Sequence, residues 1–509
     1  MSEDLSKIEK EVLENGYRWI DDNKDKLLKF LINITERESI TGNEGTFDNP
    51  SSAVGYLWDF LLSNVDDEKI ELNHQRIPKE SDYIEEKRDN IYTVFKGKGE
   101  NGFICESHTD VVPPGNLSKW PDEDPFKVKD ARVRRINKCK VEIEYDNKSV
   151  QRKIREEMDK IWKKRKYKET KALIGRGVFD NKSSIACMVG SLLALSAGLE
   201  GKKAELSGDL IHAHLVDEEK RGVGIRNMVG WPGHEDWLGE RYDSFDDFSA
   251  VVLEGSYGFV PILGFRGVFW GRIRAKGSSC HGSTPSLGRN AVLGMAKALT
   301  KLNTKESFDK ISELFIEDEL LGHLTIATGT TIVGGEVYNV DKETGEIERG
   351  GLNTISDWCE ATFDMRAPRW EGFPENIDET IGKIEDVIKK EAEETAPEID
   401  FEVEICRENF RPPVALVKNQ KVALDNPLVR SASKTAEDIF GYKPDTGIAP
   451  GGTDASILYH GTHIPTLAEY GPGGGLSHEF LEYVEINQVI EGAKAMLNLA
   501  VREIGIKES

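Results

Sequence analysis

GFICESHTDVV, residues 102–112, is an apolar run that changes character at His108. Strand-length and apolar, and followed by Pro113, Pro114 and Gly115, it reads as a buried strand that delivers polar side chains to a loop. Residues two apart on a strand point the same way. His108 can therefore ligate a cation while Asp110 holds its other ring nitrogen, fixing the tautomer and strengthening the ligand. The H-x-D pattern by itself is weak and fits a structural hydrogen-bonded pair better.

Working outward, residues 90–97 (NIYTVFKG), 208–217 (GDLIHAHLVD) and 248–254 (FSAVVLE) are further strand-like runs, and 181–198 (NKSSIACMVGSLLALSAG) reads as a buried helix. This alternation predicts an α/β sheet covered by helices on both faces, with any ligand site where strands end and loops begin. The middle differs. FWGRIRAKG (269–277) is followed by a helix from Asn290 to about Asn303, strands at 324–334 and 358–366, a helix near 375–396 and a strand at 399–406. That β-α-β-β-α-β order is ferredoxin-like. It predicts a second domain over 264–406, inserted between 1–263 and 407–509, which form the first. The tail resumes as helix, strand and helix at 426–440, 464–470 and 486–504.

The chain has 509 residues, 31% of them charged, and a formal charge of -23. This acidic balance argues against broad nucleic-acid binding. The N-terminus is charged from its first residues, and no uninterrupted apolar run reaches the roughly 18 residues of a membrane span, so a cytoplasmic protein is expected. Six scattered cysteines without a CxxC pair read as reduced thiols. Between Lys127 and Lys171, however, 18 Lys/Arg face 8 Asp/Glu. This basic insertion, with QRKIREEMDKIWKKRKYKE readable as a helix, is either a solvated surface hairpin and helix or a docking surface for an acidic partner or neighbouring subunit.

Other chemistry-bearing letters sit at similar places. Asp180, in GRGVFDNKSS, precedes the buried helix; it is an N-cap or a carboxylate bridging two cations. Glu218 and Glu219 close the strand at 208–217. Adjacent side chains there diverge, so one can bind a cation while the other accepts a proton from a water that the cation polarises; the alternative is a solvated acidic face. His212 and His214 just before them fit core histidines better than ligands. Glu254 closes another strand, and His478 follows the Gly-rich EYGPGGGLS, whose glycines permit close backbone approach. His108, Asp180, Glu219, Glu254 and His478 together make a set of imidazoles and carboxylates that suits Zn²⁺, with Co²⁺ or Mn²⁺ as alternatives.

With these residues in view, the sequence resembles the co-catalytic zinc metallopeptidase family of aminoacylase, acetylornithine deacetylase, succinyl-diaminopimelate desuccinylase and carboxypeptidase G. SHTDVVP, GRGVFDNK, DEE, the Glu254 strand, CHGSTPSLGRNAV, NTISDWCEATFDMR, GGTDA and GPGGGLSHEFLEYV carry the resemblance, in the family's order over roughly residues 25–505. It implies a metallopeptidase-type mixed sheet flanked by helices with an inserted ferredoxin-like lid and dimerisation domain. It further implies two divalent metal ions, one on His108, Asp180 and Glu254, the other on Asp180, Glu219 and His478. Glu218 would be the general base, Asp110 the support of His108, and the Asp180–Asn181 peptide cis. His281 would reach across a homodimer to stabilise an oxyanion. Asn353, Arg366 and Thr453 match positions that hold the substrate's carboxylate or the oxyanion, a task that suits a bidentate arginine. The departures are long spacings, 72 residues from His108 to Asp180 and a somewhat long stretch from Glu219 to Glu254.

The leading expectation is thus a metal-dependent hydrolase that cleaves the amide bond of an N-acyl amino acid or short peptide. A dipeptidase or carboxypeptidase is the nearer alternative and a non-catalytic scaffold of the same fold the more distant one. A nucleic-acid contact through 127–171 would need salt-dependent binding to revive it.

Overall fold

In the computed structural model, which describes residues 5–508 apart from 66–67, 79–86, 155–162, 166–167, 336, 341–346 and 350–352, the chain divides into two units. The first comprises Met1–Gly264, Ala415–Ala449 and Thr453–Ser509; the second Phe265–Val414 with Pro450–Gly452. The inserted segment therefore ends eight residues later than the sequence pattern placed it. The cause is backbone pairing: Val268 and Arg411 exchange hydrogen bonds of 2.9 and 3.3 Å, which keeps 407–414 with the insertion.

The first unit opens with helices α1 (Lys7–Asp22) and α2 (Lys24–Thr35). Its strands are β1 (Ile70–Ile77), β2 (Arg88–Phe95) and β3 (Gly102–His108), then β4 (Lys129–Asn137), β5 (Lys140–Tyr145), β6 (Lys148–Lys153) and β7 (Glu169–Ile174), and finally β8 (Asp209–Leu215) and β9 (Phe248–Val252). Helix α3 (Lys182–Leu199) follows β7. The main sheet has the order β1-β2-β8-β3-β9, closed by the short strand Thr466–Leu467. β3 lies parallel to both β8 and β9, with His108 opposite Leu215 and Glu106 opposite Val252. Parallel strands covered on both faces need continuous apolar runs, and β3 and β8 are buried throughout. Because the three strands run the same way, their carboxyl ends share one edge of the sheet.

Helix α3 is long and apolar enough to cross a membrane by length and mean composition, although Lys182 and serines interrupt its apolar run; 89% of it is buried inside the fold. All six cysteines are unpaired.

Among its described residues, the basic insertion folds mostly as strand. β4, β5, β6 and β7 form an antiparallel sheet with the short strands Gly474–Gly475 and Tyr483–Glu485, in the order Gly474–Gly475, Tyr483–Glu485, β7, β4, β5, β6. Asp146 and Asn147 turn β5 into β6 with φ of 44° and 61°, the backbone of a tight hairpin that Asx residues tolerate. Of the helix expected over QRKIREEMDKIWKKRKYKE, the first three residues are strand and most of the remainder lies outside the described residues. Pairing of Gln151, Arg152 and Lys153 with Glu142, Val141 and Lys140 overrides the helical propensity of those three residues, while Lys163 and Lys164 are helical as expected.

In the second unit, β10 (Gly267–Lys276), α4 (Ala291–Leu302), β11 (Thr325–Gly334), β12 (Trp358–Ala367), α5 (Ile377–Thr395) and β13 (Asp400–Ile405) follow in the ferredoxin-like order. The antiparallel sheet runs β11-β12-β10-β13. Ile273, Ala361 and Phe363 face Met295, Ala298, Ile384 and Ile388 of the two helices in one apolar core.

Candidate metal centre

The shared sheet edge determines which side chains meet. His108 is the last residue of β3, Glu218 and Glu219 stand in the turn after β8, and Glu254 lies two residues beyond β9. Asp180 sits in the turn before α3, where the Asp180–Asn181 peptide is cis. His478 comes from the loop between Gly474–Gly475 and Tyr483–Glu485.

These residues form two triads that share Asp180. His108, Asp180 and Glu254 present ligand atoms within 4.8 Å of one another, as do Asp180, Glu219 and His478. His108 Nε2 lies 3.3 Å from Asp180 Oδ1 and 3.4 Å from Glu254 Oε2. His478 Nε2 lies 3.4 Å from the other oxygen, Asp180 Oδ2, and 3.0 Å from Glu219. One carboxylate thus offers each oxygen to a different imidazole, the geometry of a bridging ligand.

The electrostatics fit cations. Burial alone would raise the pKa of Asp180, but hydrogen bonds from His108 and His478 outweigh it and hold the carboxylate well below its usual range. Burial pushes Glu254 up to about 7 against the pull of His108, and raises Glu219 with the help of the Asp180 charge. Burial would depress His478, yet its bonds to Asp180 and Glu219 carry it up to about 11. His108 is driven well above its ordinary value by Glu254, Asp110 and Asp180 despite its burial. Protons on the two imidazoles thus offset a surplus of carboxylate charge that divalent ions would neutralise.

Buried partners hold the ligands. His108 Nδ1 is 3.0 Å from the backbone oxygen of Asp110 and 3.4 Å from its Oδ1, so the carbonyl is the nearer partner and the tautomer follows from it. The Asp110 carboxylate instead gathers the turn after β8. Oδ1 accepts from Glu218 N at 3.0 Å, and Oδ2 from Glu219 N at 3.1 Å and Thr41 Oγ1 at 2.8 Å. Glu482 Oε1 accepts from the N–H groups of Phe179 and Asp180 at 3.0 and 2.9 Å, and its carboxylate pairs with buried Arg176. Arg88 pairs with Glu44 and Asp217 at 3.2 and 3.4 Å, and Glu44 accepts from Asp217 N at 3.0 Å. Sequence reasoning missed Glu44, Arg88, Arg176 and Glu482. For Arg176 and Glu482 a signal existed, since each is a charged letter inside a quoted motif, GRGVFD and SHEFLEYV.

The other candidates have their own partners. His281 and Asn353, both exposed and in the second unit, lie 3.4 Å apart between Nε2 and Nδ2, while His281 Nδ1 accepts from Ser283 N at 3.1 Å. Arg366 is held in a bidentate pair by Asp364 at 2.7 and 2.9 Å. Thr453 Oγ1 donates to Ala468 O at 2.8 Å. His212 and His214 are buried in β8, where desolvation takes both down to about 3, so they stay neutral; none of their ring nitrogens has a partner among the described residues.

The family model for peptidase family M20/M25/M40 matches residues 153–502, a span that contains Asp180, Glu218, Glu219, Glu254 and His478. The chain belongs to that family. As an M20 protein it is a metal-binding hydrolase. Over 466 residues it is 22% identical to succinyl-diaminopimelate desuccinylase of Rickettsia bellii, covering 90% of this chain and 93% of that one. Its fold is similar to that of the di-peptidase Dug1p of Saccharomyces cerevisiae, with a TM-score of 0.62 at 13% identity over 96% and 98% of the two chains. It is also similar to that of a dinuclear metal-binding M20 peptidase of Bacillus subtilis, with a TM-score of 0.53 at 12% identity over 94% and 98%.

Proposed function

We propose that this M20 hydrolase cleaves the amide bond of an N-acyl amino acid or a short peptide at a pair of zinc ions. The observation that carries the reading is Asp180, whose two oxygens face His108 and His478 at 3.3 and 3.4 Å. His108, Asp180 and Glu254 would hold one ion, and Asp180, Glu219 and His478 the other; imidazole and carboxylate donors suit zinc, and would also take cobalt or manganese. Bound there, the ions would supply Lewis acidity to the scissile carbonyl and to a water molecule. Glu218 then accepts a proton from that water at its carboxylate and returns it to the leaving amine nitrogen. Its backbone is fixed for this by Asp110 Oδ1, and the residue is only 8% exposed, which favours proton transfer over exchange with solvent.

His281 would stabilise the tetrahedral oxyanion across a homodimer, and Asn353, Arg366 and Thr453 would position the substrate. For Arg366 this requires sharing its guanidinium with Asp364. The homodimer is supported by apolar side chains on the sheet's β11 edge and the adjoining helix: Ile332 and Val333 are 57% and 52% exposed, and Leu293 of α4 61%. Unpaired cysteines agree with a cytoplasmic location. The desuccinylase relative favours an acyl amino acid, whereas the likeness to Dug1p favours a dipeptide.

The deciding experiment combines Glu218→Gln with a panel of N-acetyl-, N-succinyl- and dipeptide substrates. The variant is expected to keep two ions per chain and lose roughly 10²–10⁴-fold in turnover. Full turnover by the metallated variant would remove Glu218 from its role. Hybrid dimers of His281→Ala with Glu218→Gln should regain activity if the site is shared between subunits.

A further inference from the structure

The loop that carries His478 has an unfavourable backbone. Leu476, His478 and Leu481, none of them glycine, have φ of 65°, 62° and 62°. Such conformations persist only where surrounding structure over-determines them. The surrounding structure here is the basic insertion. Leu476 and Leu481 are buried in one cluster with Val133 of β4 and with Val141, Ile143 and Tyr145 of β5, and Phe480 packs at its margin. From β6, Arg152 reaches the loop with its whole head group. Its Nη1 donates to Phe480 O at 3.2 Å, its guanidinium carbon lies 3.6 Å from the centre of the Phe480 ring, and its Nη2 pairs with Glu479. The Arg152 side chain is 11% exposed, which shields its bond to Phe480 O and its ring contact from solvent, while Glu479 is 57% exposed. Lys119 adds a second cation, 5.3 Å from the same ring. Much of the remaining charge of the segment is also used internally. Arg132 pairs with Glu169, Lys129 with Asp122 and Asp146, and Lys164 with Asp445, while Arg165 donates to Gly258 O at 2.7 Å.

We infer that the insertion is an internal brace, in which Arg152 of β6 positions His478 and thereby sets the affinity for the cation held by Asp180, Glu219 and His478. The inference rests on the proposed role of His478 as a ligand. Arg152 is a positioning residue: a bidentate head group that bonds the backbone on one side and stacks on the ring on the other fixes both the translation and the tilt of the loop. Lysine, a point charge, can keep the pair with Glu479 but does not reproduce the fork.

The test uses the full chain, stripped of metal and titrated with Zn²⁺ against a competing chelator, with His478→Asn marking the binding step that belongs to the second triad. Arg152→Ala is expected to weaken that step by roughly 10–100-fold and to leave the other step unchanged. Arg152→Lys should lie between it and the parent, and Glu479→Gln should shift the same step by less, which keeps the test open should Arg152→Ala fail to fold. Unchanged affinity at both steps would overturn the brace, as would equal weakening of both in proportion to a fall in Tm. A parent chain that never binds a second ion would overturn the ligand role of His478 instead, and the brace with it.

Discussion

His108 and His478 face the same carboxylate from opposite sides and are held by opposite means. His108 is the buried last residue of a central parallel strand, with 1% of its side chain exposed, and its Nδ1 is fixed by a carbonyl two residues away. His478 has 53% of its side chain exposed and rides on a loop with three left-handed non-glycine residues, secured by groups more than 300 positions distant, such as Arg152. The sheet supplies one half of the site as a consequence of folding. The other half depends on a peripheral antiparallel sheet closing over the loop. Local opening of the protein is therefore expected on the His478 side, where fewer apolar contacts would have to break.

The strongest challenge to this contrast is to remove what the two halves share. Asp180→Ala should abolish binding of both ions and lower turnover by roughly 10⁴-fold or more, read by metal analysis and steady-state kinetics. Retention of two ions would mean that the halves are independent sites. Next in size is a comparison of stabilities. In metal-free protein, His108→Asn is expected to cost about 2–3 kcal/mol, because it leaves buried carboxylates unpaired. His478→Asn should cost under about 1 kcal/mol, since asparagine tolerates the left-handed backbone and the site is solvated. Urea unfolding separates the two, and equal losses would erase the distinction.

The pH dependence sharpens it further. Because desolvation is outweighed by bonds to Asp180 and Glu219, which raise the folded pKa of His478 from 6.5 to about 11, its contribution to the metal-free protein, kept small by solvent screening of a side chain 53% exposed, is fully present below pH 6.5 and fades as pH rises through about 11. His478→Asn should flatten that decline in a series of unfolding curves. Ion affinity should run the other way and rise with pH in the same window, because binding displaces the proton. The smallest effect on ion binding belongs to Thr41→Val, which removes one hydrogen bond to Asp110. It should lower stability by about 1 kcal/mol and weaken ion binding on the His108 side by less than tenfold.

What the sequence discloses follows the same division. His108, Asp180, Glu219 and Glu254 are legible because each follows an apolar run close to a turn signal, and parallel strands bring such strand ends together. The ferredoxin-like order of the second unit is legible from alternating periodicities. The supports are not. Glu482 meets Arg176 from 306 residues away, and Arg88 meets Glu44 across 44, pairings that no local pattern encodes. The insertion misleads for a related reason: Gln151–Lys153 has helical composition, yet the partner strand β5 decides its conformation. Arg366 shows a further limit. Its motif suggests a clamp for a substrate carboxylate, but Asp364, two residues earlier in the same strand, already engages its guanidinium.

The most direct measurement is anomalous diffraction at the zinc edge from crystals of the parent protein grown with Zn²⁺. Two peaks about 3.5–4 Å apart are expected, one beside His108 and Glu254, the other beside Glu219 and His478, with Asp180 between them. A lone peak, or zinc bound away from Asp180, would contradict the dinuclear assignment.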